Sequence, residues 1–348
     1  MIILDALGIS ARAAFDVTRN RRRAGPRVTG WSWSTEFAAA ILRAMCSASK
    51  TRGIPWLRAV QAAGHLPSPV QRRVQRAPVV IGGVLAERFV PNDGIRGART
   101  VVYAHGGGFV AGSPDTHAEI AARLAVALDA GVLSVDYRLA PEHTFPDAHA
   151  DVLAAVEAVL RDTPASEVVL AGDSAGGGLV LATLMALRDR STALPACAVL
   201  ICPWVDPLAA EGSMVSNAEI DFGDAALLQG WARMYASDEQ LRHDPRLALL
   251  SADLRGLPPL HIQAGSLEVL LDQITELAGR ARAAGVETEF EIFAGMVHDF
   301  QMLAGLVPQA VPAIAAMTAF IDRHLRAAAP PRLARGAAAG PRHDNTAD

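Results

Sequence analysis

Two short stretches place reactive residue types at spacings a reaction could use. In Gly172-Asp173-Ser174-Ala175-Gly176 a serine has glycines two before and two after it, between the apolar run 168–171 and a helical pattern beginning near Ala175. A hydroxyl at the apex of a strand-to-helix turn is held in strained backbone geometry, and side chains at the flanking glycines would collide with the neighbouring strand and helix. The helix N-terminus behind Ser174 favours developing negative charge, so the chemistry indicated is nucleophilic attack. In His105-Gly106-Gly107-Gly108-Phe109, directly after the run 100–104, consecutive glycines let backbone N–H groups converge on one point without obstruction. In acyl transfer that point is an oxyanion, and each donor is worth about 3–4 kcal/mol in the transition state. A phosphate cradle fits poorly: no lysine stands near a Gly-rich turn, and Gly106, Gly108 and Gly112 do not have dinucleotide spacing.

A base and an acid are available further on. His298 follows the strand pattern 289–293 and a turn at Gly295, as a loop residue at the sheet's carboxyl edge would. After the strand pattern 260–264 two carboxylates compete, Glu268 and Asp272. Glu268 falls in the loop, within reach of His298; Asp272 is already one turn into the next helix and suits a helix-terminus role. The resulting order along the chain is nucleophile, acid and histidine. His261 reads as a core residue inside a strand, while His117, His143 and His149 lie on helices or loops near the site.

From residue 78 onward apolar runs alternate with helical patterns. Extended runs at 78–90, 100–104, 132–136, 168–171, 198–202, 260–264 and 289–293 are interleaved with helices at 115–128, 147–161, 175–189, 269–284 and 310–326. Continuous apolar strands alternating with helices imply a mostly parallel, doubly wound sheet covered on both faces. Asp115 is the expected N-cap of its helix, with Gly131 beyond the end. Residues 1–76 read as helices only, and 205–240 as an inserted helical segment; together they form an expected cap over a domain spanning 77–328. The tail 329–348 has no periodicity and is expected to be disordered.

The bulk numbers restrict the alternatives. Hydrophobic residues make up 51% and charged residues 20% of 348, which excludes a disordered polymer. The net charge of −4 does not point to nucleic acid. It hides a split: residues 1–76 hold thirteen Arg and Lys against three Asp and Glu, a net +10 that leaves −14 for the remainder. The plain reading is a solvated helix pair that uses Arg for solubility. Cys46, Cys197 and Cys202 form no metal-binding spacing and read as buried, reduced thiols, hence a cytoplasmic protein. Residues 300–321 carry no charge, but Gln301, Pro308, Gln309 and Pro312 interrupt them, so no transmembrane segment is expected.

Taken with Y-R-L-A-P-E-H-T-F-P (137–146), H-D-P-R-L-A-L-L-S-A-D-L-R-G-L-P-P (243–259) and G-M-V-H-D-F (295–300), the two glycine motifs carry a resemblance. The chain resembles the bacterial hormone-sensitive-lipase-type carboxylesterases of the α/β-hydrolase superfamily over about residues 78–327. It departs from the family's D-P-x-x-S-P-L at Asp244–Leu250, a packing turn. The resemblance implies an α/β-hydrolase fold with a helical cap, and a serine esterase acting on short- to medium-chain esters through an acyl-enzyme. It implies a small-molecule ester as partner, no cofactor and no metal, and it allows a homodimer. By position Ser174 matches the nucleophile and His298 the base, and the N–H groups of Gly107, Gly108 and Ala175 match the oxyanion hole. The family's D-P-L-x-D run falls on E-V-L-L-D, which puts the acid at Glu268. His105, Glu142 and Tyr137 read as supports of the glycine loop, and Asp173 and Asp272 as supporting carboxylates. Some plant hormone receptors resemble the family but lack the histidine; His298 favours the enzyme, with amides or lactones as alternative substrates.

Overall fold

The computed structural model describes residues 2–63 and 68–327; the expected disordered tail 329–348 lies outside the described residues. Three helices come first: α1 (Ile2–Ala24), α2 (Trp33–Arg52) and α3 (Ile54–Ala63). Ser32 caps α2 by accepting from Thr35 N, and Gly53 ends it in the left-handed region that a β-carbon disfavours. The sheet then begins with the hairpin β1 (Val74–Ile81) and β2 (Val84–Pro91), followed by β3 (Thr100–Ala104), α4 (Ala118–Leu128), β4 (Gly131–Val135) and α5 (Asp147–Asp162). Next come β5 (Val168–Asp173), α6 (Ser174–Asp189), β6 (Cys197–Ile201) and the short helices α7 (Ser213–Ser216) and α8 (Ala225–Tyr235). The chain closes with β7 (Leu260–Gly265), α9 (Leu271–Ala283), β8 (Thr288–Phe293) and α10 (Ala310–Ala327).

The eight strands form one sheet in the order β1-β2-β4-β3-β5-β6-β7-β8. β2 runs antiparallel to β1 and β4, and every other pairing is parallel. Strands β5, β6 and β7 are buried along their whole length, as strands covered by helices on both faces must be; this is why 168–171 and β6 read as apolar runs, while β7 also buries His261 and Gln263, 3.0 Å apart. Their carboxyl ends point the same way, so the loops after β3, β5, β7 and β8 gather at one edge.

Several local expectations are corrected. α4 begins at Ala118, not Asp115, because Ser113 and Thr116 close a turn in front of it (Ser113 N donates to Thr116 Oγ1 at 2.8 Å) and Asp115 pairs outward with Arg76. Its left-handed end is Asp129 (φ 48°), which leaves Gly131 free to open β4. β1 starts at Val74, so a strand enters the stretch expected to be helical and the boundary at residue 77 falls inside it. Residues 205–240 are helical only in α7 and α8, the rest being turns. The uncharged stretch 300–321 becomes a short turn of helix and the first part of α10, which buries Ala313, Met317, Phe320 and Ile321 in the core. Among the described residues no helix is long and apolar enough to cross a membrane.

Candidate active site

Ser174 sits where β5 hands over to α6, with φ 51°, a left-handed backbone that costs a non-glycine residue energy. The turn can be this tight only because its flanks lack side chains: a β-carbon on Gly176 would run into the carbonyl oxygens of Ala104 and His105. The Ser174 Oγ lies 2.9 Å from His298 Nε2, and His298 Nδ1 lies 2.8 Å from Glu268 Oε2. Glu268 is fully buried and its other oxygen accepts from Gly265 N at 2.9 Å, which fixes the carboxylate at the end of β7. Serine, histidine and glutamate from three separate loops thus form one hydrogen-bonded line. Asp272 does not join it. It accepts from Ser213 N (2.8 Å) and ties the insertion to the first turn of α9.

The glycine loop lies beside this line. Gly107 (φ 118°) and Gly108 (φ 62°) adopt backbone shapes that side chains rarely take, and a β-carbon on Gly108 would strike the indole of Trp231. Among the described residues neither Gly107 N nor Gly108 N has a protein acceptor, so both remain available to a ligand oxygen. Ala175 N belongs to the first turn of α6, beside the serine.

The expected supports are placed as follows. His105 stacks on Tyr137 with ring centroids 4.2 Å apart, and its Nδ1 donates to Gly106 O at 2.8 Å. Burial, with the nearby charge of His117, pushes the His105 imidazole down to about 3, so it is neutral. Tyr137 Oη donates to His105 O at 2.6 Å. Asp173 accepts from Tyr103 Oη (2.6 Å) and Gly106 N (2.9 Å), joining the serine turn to the glycine loop. Its second oxygen takes His117 Nε2 at 3.2 Å. Burial would raise this carboxyl, but His117 and Tyr103 outweigh it and hold it below its ordinary value. Glu142 acts at one remove: it pairs with Arg58 of α3, which donates to Val110 O (2.7 Å) and Ala140 O (2.6 Å). His261 is a core residue under Phe320, 3.0 Å from Gln263 Nε2. His149 is buried beside Tyr235, and His143 pairs with Asp147 at 3.5 Å; neither reaches the line.

Two carboxylates at the site were given no role in the sequence reading: Asp299, although it stands inside G-M-V-H-D-F, and Asp221, which no motif marks. Asp299 Oδ2 lies 3.0 Å from His298 Nε2, on the same nitrogen as the serine. Burial pushes the Asp299 carboxyl up to about 7, against the attraction of His298. Burial disfavours charge on His298, but Asp299 first and Glu268 after it hold the imidazole well above its ordinary value. Asp221 is the second: it accepts from His298 N at 3.0 Å and Val269 N at 2.7 Å.

Access is narrow. Ser174 is 6% and His298 4% exposed, and Phe222 lies over the His298 ring with centroids 4.7 Å apart. A cavity of about 630 Å³ lies elsewhere, among α1, α2 and Ile220, with Trp31, Glu36 and Arg43 in its wall.

Residues 101–302 match the model of a family described by its α/β-hydrolase fold. An acetyl-hydrolase of Streptomyces hygroscopicus is 40% identical over 275 residues, covering 78% of this chain and 88% of that protein. An esterase of Acinetobacter venetianus is 32% identical over 254 residues, 72% of this chain and 83% of its own length. A crystal structure of an esterase from the bacterial hormone-sensitive lipase family superposes with a TM-score of 0.80 at 34% identity, covering 85% of this chain and 100% of that one.

Proposed function

The chain belongs to the α/β-hydrolase fold family as a carboxylic ester hydrolase of the bacterial hormone-sensitive-lipase type, and from that premise we propose a serine mechanism on short- to medium-chain esters. Ser174 Oγ attacks the ester carbonyl while His298 Nε2 takes its proton; the carbonyl oxygen, now an oxyanion, is held by the N–H groups of Gly107, Gly108 and Ala175. The tetrahedral intermediate collapses, the alcohol leaves with the proton from Nε2, and the acyl group stays on Ser174. Water then attacks the acyl-enzyme, gives its proton to Nε2, and the acid departs as Ser174 recovers that proton. Glu268 keeps the imidazole in the tautomer with hydrogen on Nδ1 and stabilises the imidazolium formed in each half-reaction. Every step uses groups of the chain itself.

The observation that carries this reading is the continuous line from Ser174 Oγ to His298 to Glu268, at 2.9 and 2.8 Å. A fluorophosphonate probe tests it: the wild type should be labelled at Ser174 and lose hydrolysis of p-nitrophenyl butyrate. Label at another residue, or none, would sink the assignment. The preference for short chains rests on the Arg-rich α1–α3 region, which offers no long apolar lid; faster turnover of an emulsified long-chain triglyceride would overturn it. Amide and lactone analogues run in the same assay place ester hydrolysis against its alternatives. We extend the reading to a reducing, cytoplasmic setting, supported by three cysteines that are buried and unpaired. The assembly that the family resemblance allows is a homodimer, and sedimentation velocity decides between one copy and two.

A further inference from the structure

The segment 217–224, between α7 and α8, touches the reacting groups from behind without contributing one. Asp221 is 1% exposed, and its two oxygens are spent on two different loops: one accepts from His298 N at 3.0 Å, the other from Val269 N at 2.7 Å. Val269 follows Glu268, so a single carboxylate holds together the backbones that carry the base and the acid. Asn217 adds to the grip, its Nδ2 donating to Glu268 O at 2.9 Å. Phe222, next to Asp221, lies against the His298 ring.

The N-terminal helices hold this segment from the other side. Arg43 of α2 donates through Nη1 to Ala218 O and, at 3.0 Å, to Asp221 O. Arg27 donates to Glu219 O at 2.6 Å, and Lys50 pairs with Asp224 at 2.6 Å. Arg27 and Lys50 are open to solvent, where such contacts are worth little. Arg43 is half-buried and takes two carbonyl groups that flank the brace, so it is the contact that matters. The charge of Asp221 also reaches α2: burial, and after it the Asp221 charge, push the Cys46 thiol up to about 12. Part of the excess positive charge of the first quarter of the chain is therefore spent on one segment, a use that solvation alone does not describe.

We propose that Arg43 and Asp221 are positioning residues that act in series: Arg43 fixes the segment 218–221 to α2, and Asp221 passes that placement to the loops of Glu268 and His298. The N-terminal helices would then set the alignment of the triad in addition to covering it. The proposal rests on the serine mechanism above. Neither residue touches the ester, so both should change turnover more than binding.

The test uses the full chain and p-nitrophenyl butyrate, with kcat, KM, Tm and the rate of fluorophosphonate labelling at Ser174 measured on each variant. Asp221→Asn keeps the shape but can offer an oxygen to only one of the two amides. It should lower kcat about 10- to 100-fold with KM within about threefold, as a misplacement on the order of 1 Å does. Arg43→Ala should lower kcat about tenfold, Arg43→Lys should recover part of that, and the labelling rate should fall in step. The double variant should be no slower than Asp221→Asn, because groups acting in series are not additive. A folded Arg43→Ala protein with wild-type kcat overturns the proposal even if Asp221→Asn does not fold. Losses that multiply in the double variant, or effects confined to KM, overturn it as well. All three results leave the serine reading standing, provided the wild type is labelled at Ser174; a wild type that is not labelled removes that reading and this proposal together.

Discussion

The carboxyl edge of the sheet and the helical cover above it make different kinds of structure from different kinds of sequence. At the sheet edge the important residues lie in short motifs at the ends of buried strands. Gly172 to Gly176 and His105 to Phe109 each occupy five consecutive residues, and their strands bring them together by register, Ala104 opposite Gly172. In the cover, α1–α3 and residues 205–240, the contacts join distant parts of the chain through single polar side chains: Arg43 to the carbonyls of 218 and 221, Arg58 to those of 110 and 140, Asp221 to two loops. On the proposed serine mechanism, the edge supplies chemistry by local sequence. The cover supplies position by long-range hydrogen bonds.

If that division holds, the largest losses must come from the edge. Ser174→Ala should reduce hydrolysis of p-nitrophenyl butyrate by about ten-thousandfold or more, with Tm near wild type, because the alanine fits the same turn. Residual activity within tenfold of wild type would mean that some other group attacks the ester. Glu268→Gln comes next, with kcat down about a thousandfold to ten-thousandfold, since an amide can offer its NH2 to His298 and stabilise the wrong tautomer. Stopped-flow or steady-state kinetics on the purified variant measure it directly.

How legible each region was follows from the same difference. The alternation of apolar runs and helical patterns identified the strands of the parallel core, because burial on both faces favours apolar residues there, with Ser134, His261 and Gln263 as buried polar exceptions. That Ser174, Glu268 and His298 would meet was legible for a related reason: each follows a strand end, and the fold restricts which loop residues can meet. Helix starts were less legible. Asp115 looks like an N-cap, yet the Ser113–Thr116 turn delays α4 and Asp115 answers to Arg76, thirty-nine residues away in sequence. Asp221 was not legible at all. A buried carboxylate that accepts two backbone amides leaves no pattern in its neighbours, and only the closed fold shows what it faces. Nor did the charge of residues 1–76 reveal its use, because a helix that grips carbonyl groups with Arg43 looks in sequence like one that shows arginine to water.

Asp299 gives a test of intermediate size that sharpens the comparison at the edge itself. Its carboxylate holds the His298 imidazole above its ordinary value, so the base form, which the reaction needs, appears only as pH rises past that raised value. Asp299→Asn removes the negative charge, the imidazole pKa falls, and the acidic limb of kcat/KM should move to lower pH. A pH profile on wild type and variant measures the shift. An unchanged limb would mean that Asp299 keeps its proton throughout and exerts no field on the base; a shift to higher pH would contradict the arrangement of charges outright.

The smallest effect should come from Asp272, and its size matters because it is the near neighbour that could have been the triad acid. It stands four residues after Glu268, on the same side of the chain by helical spacing, and carries the same charge. What separates them is the point at which the loop becomes a helix. Glu268 lies before α9, fully buried, with one oxygen on His298 and the other on Gly265 N; Asp272 lies in the first turn of α9, exposed, with Ser213 N as its partner. Asp272→Asn keeps a carbonyl oxygen for Ser213 N and loses only the favourable placement of a negative charge at a helix N-terminus, about 0.3–1 kcal/mol at an exposed site. Activity should therefore stay within about twofold of wild type and Tm should fall by no more than about 4 °C. The pair of variants is more informative than either alone. If Asp272→Asn cost a thousandfold and Glu268→Gln almost nothing, the acid would sit on the helix, and the loop after β7 would be a structural turn. If both were costly, Asp272 would act through Ser213 on the placement of the insertion, and the separation between an edge that reacts and a cover that positions would fail at α9.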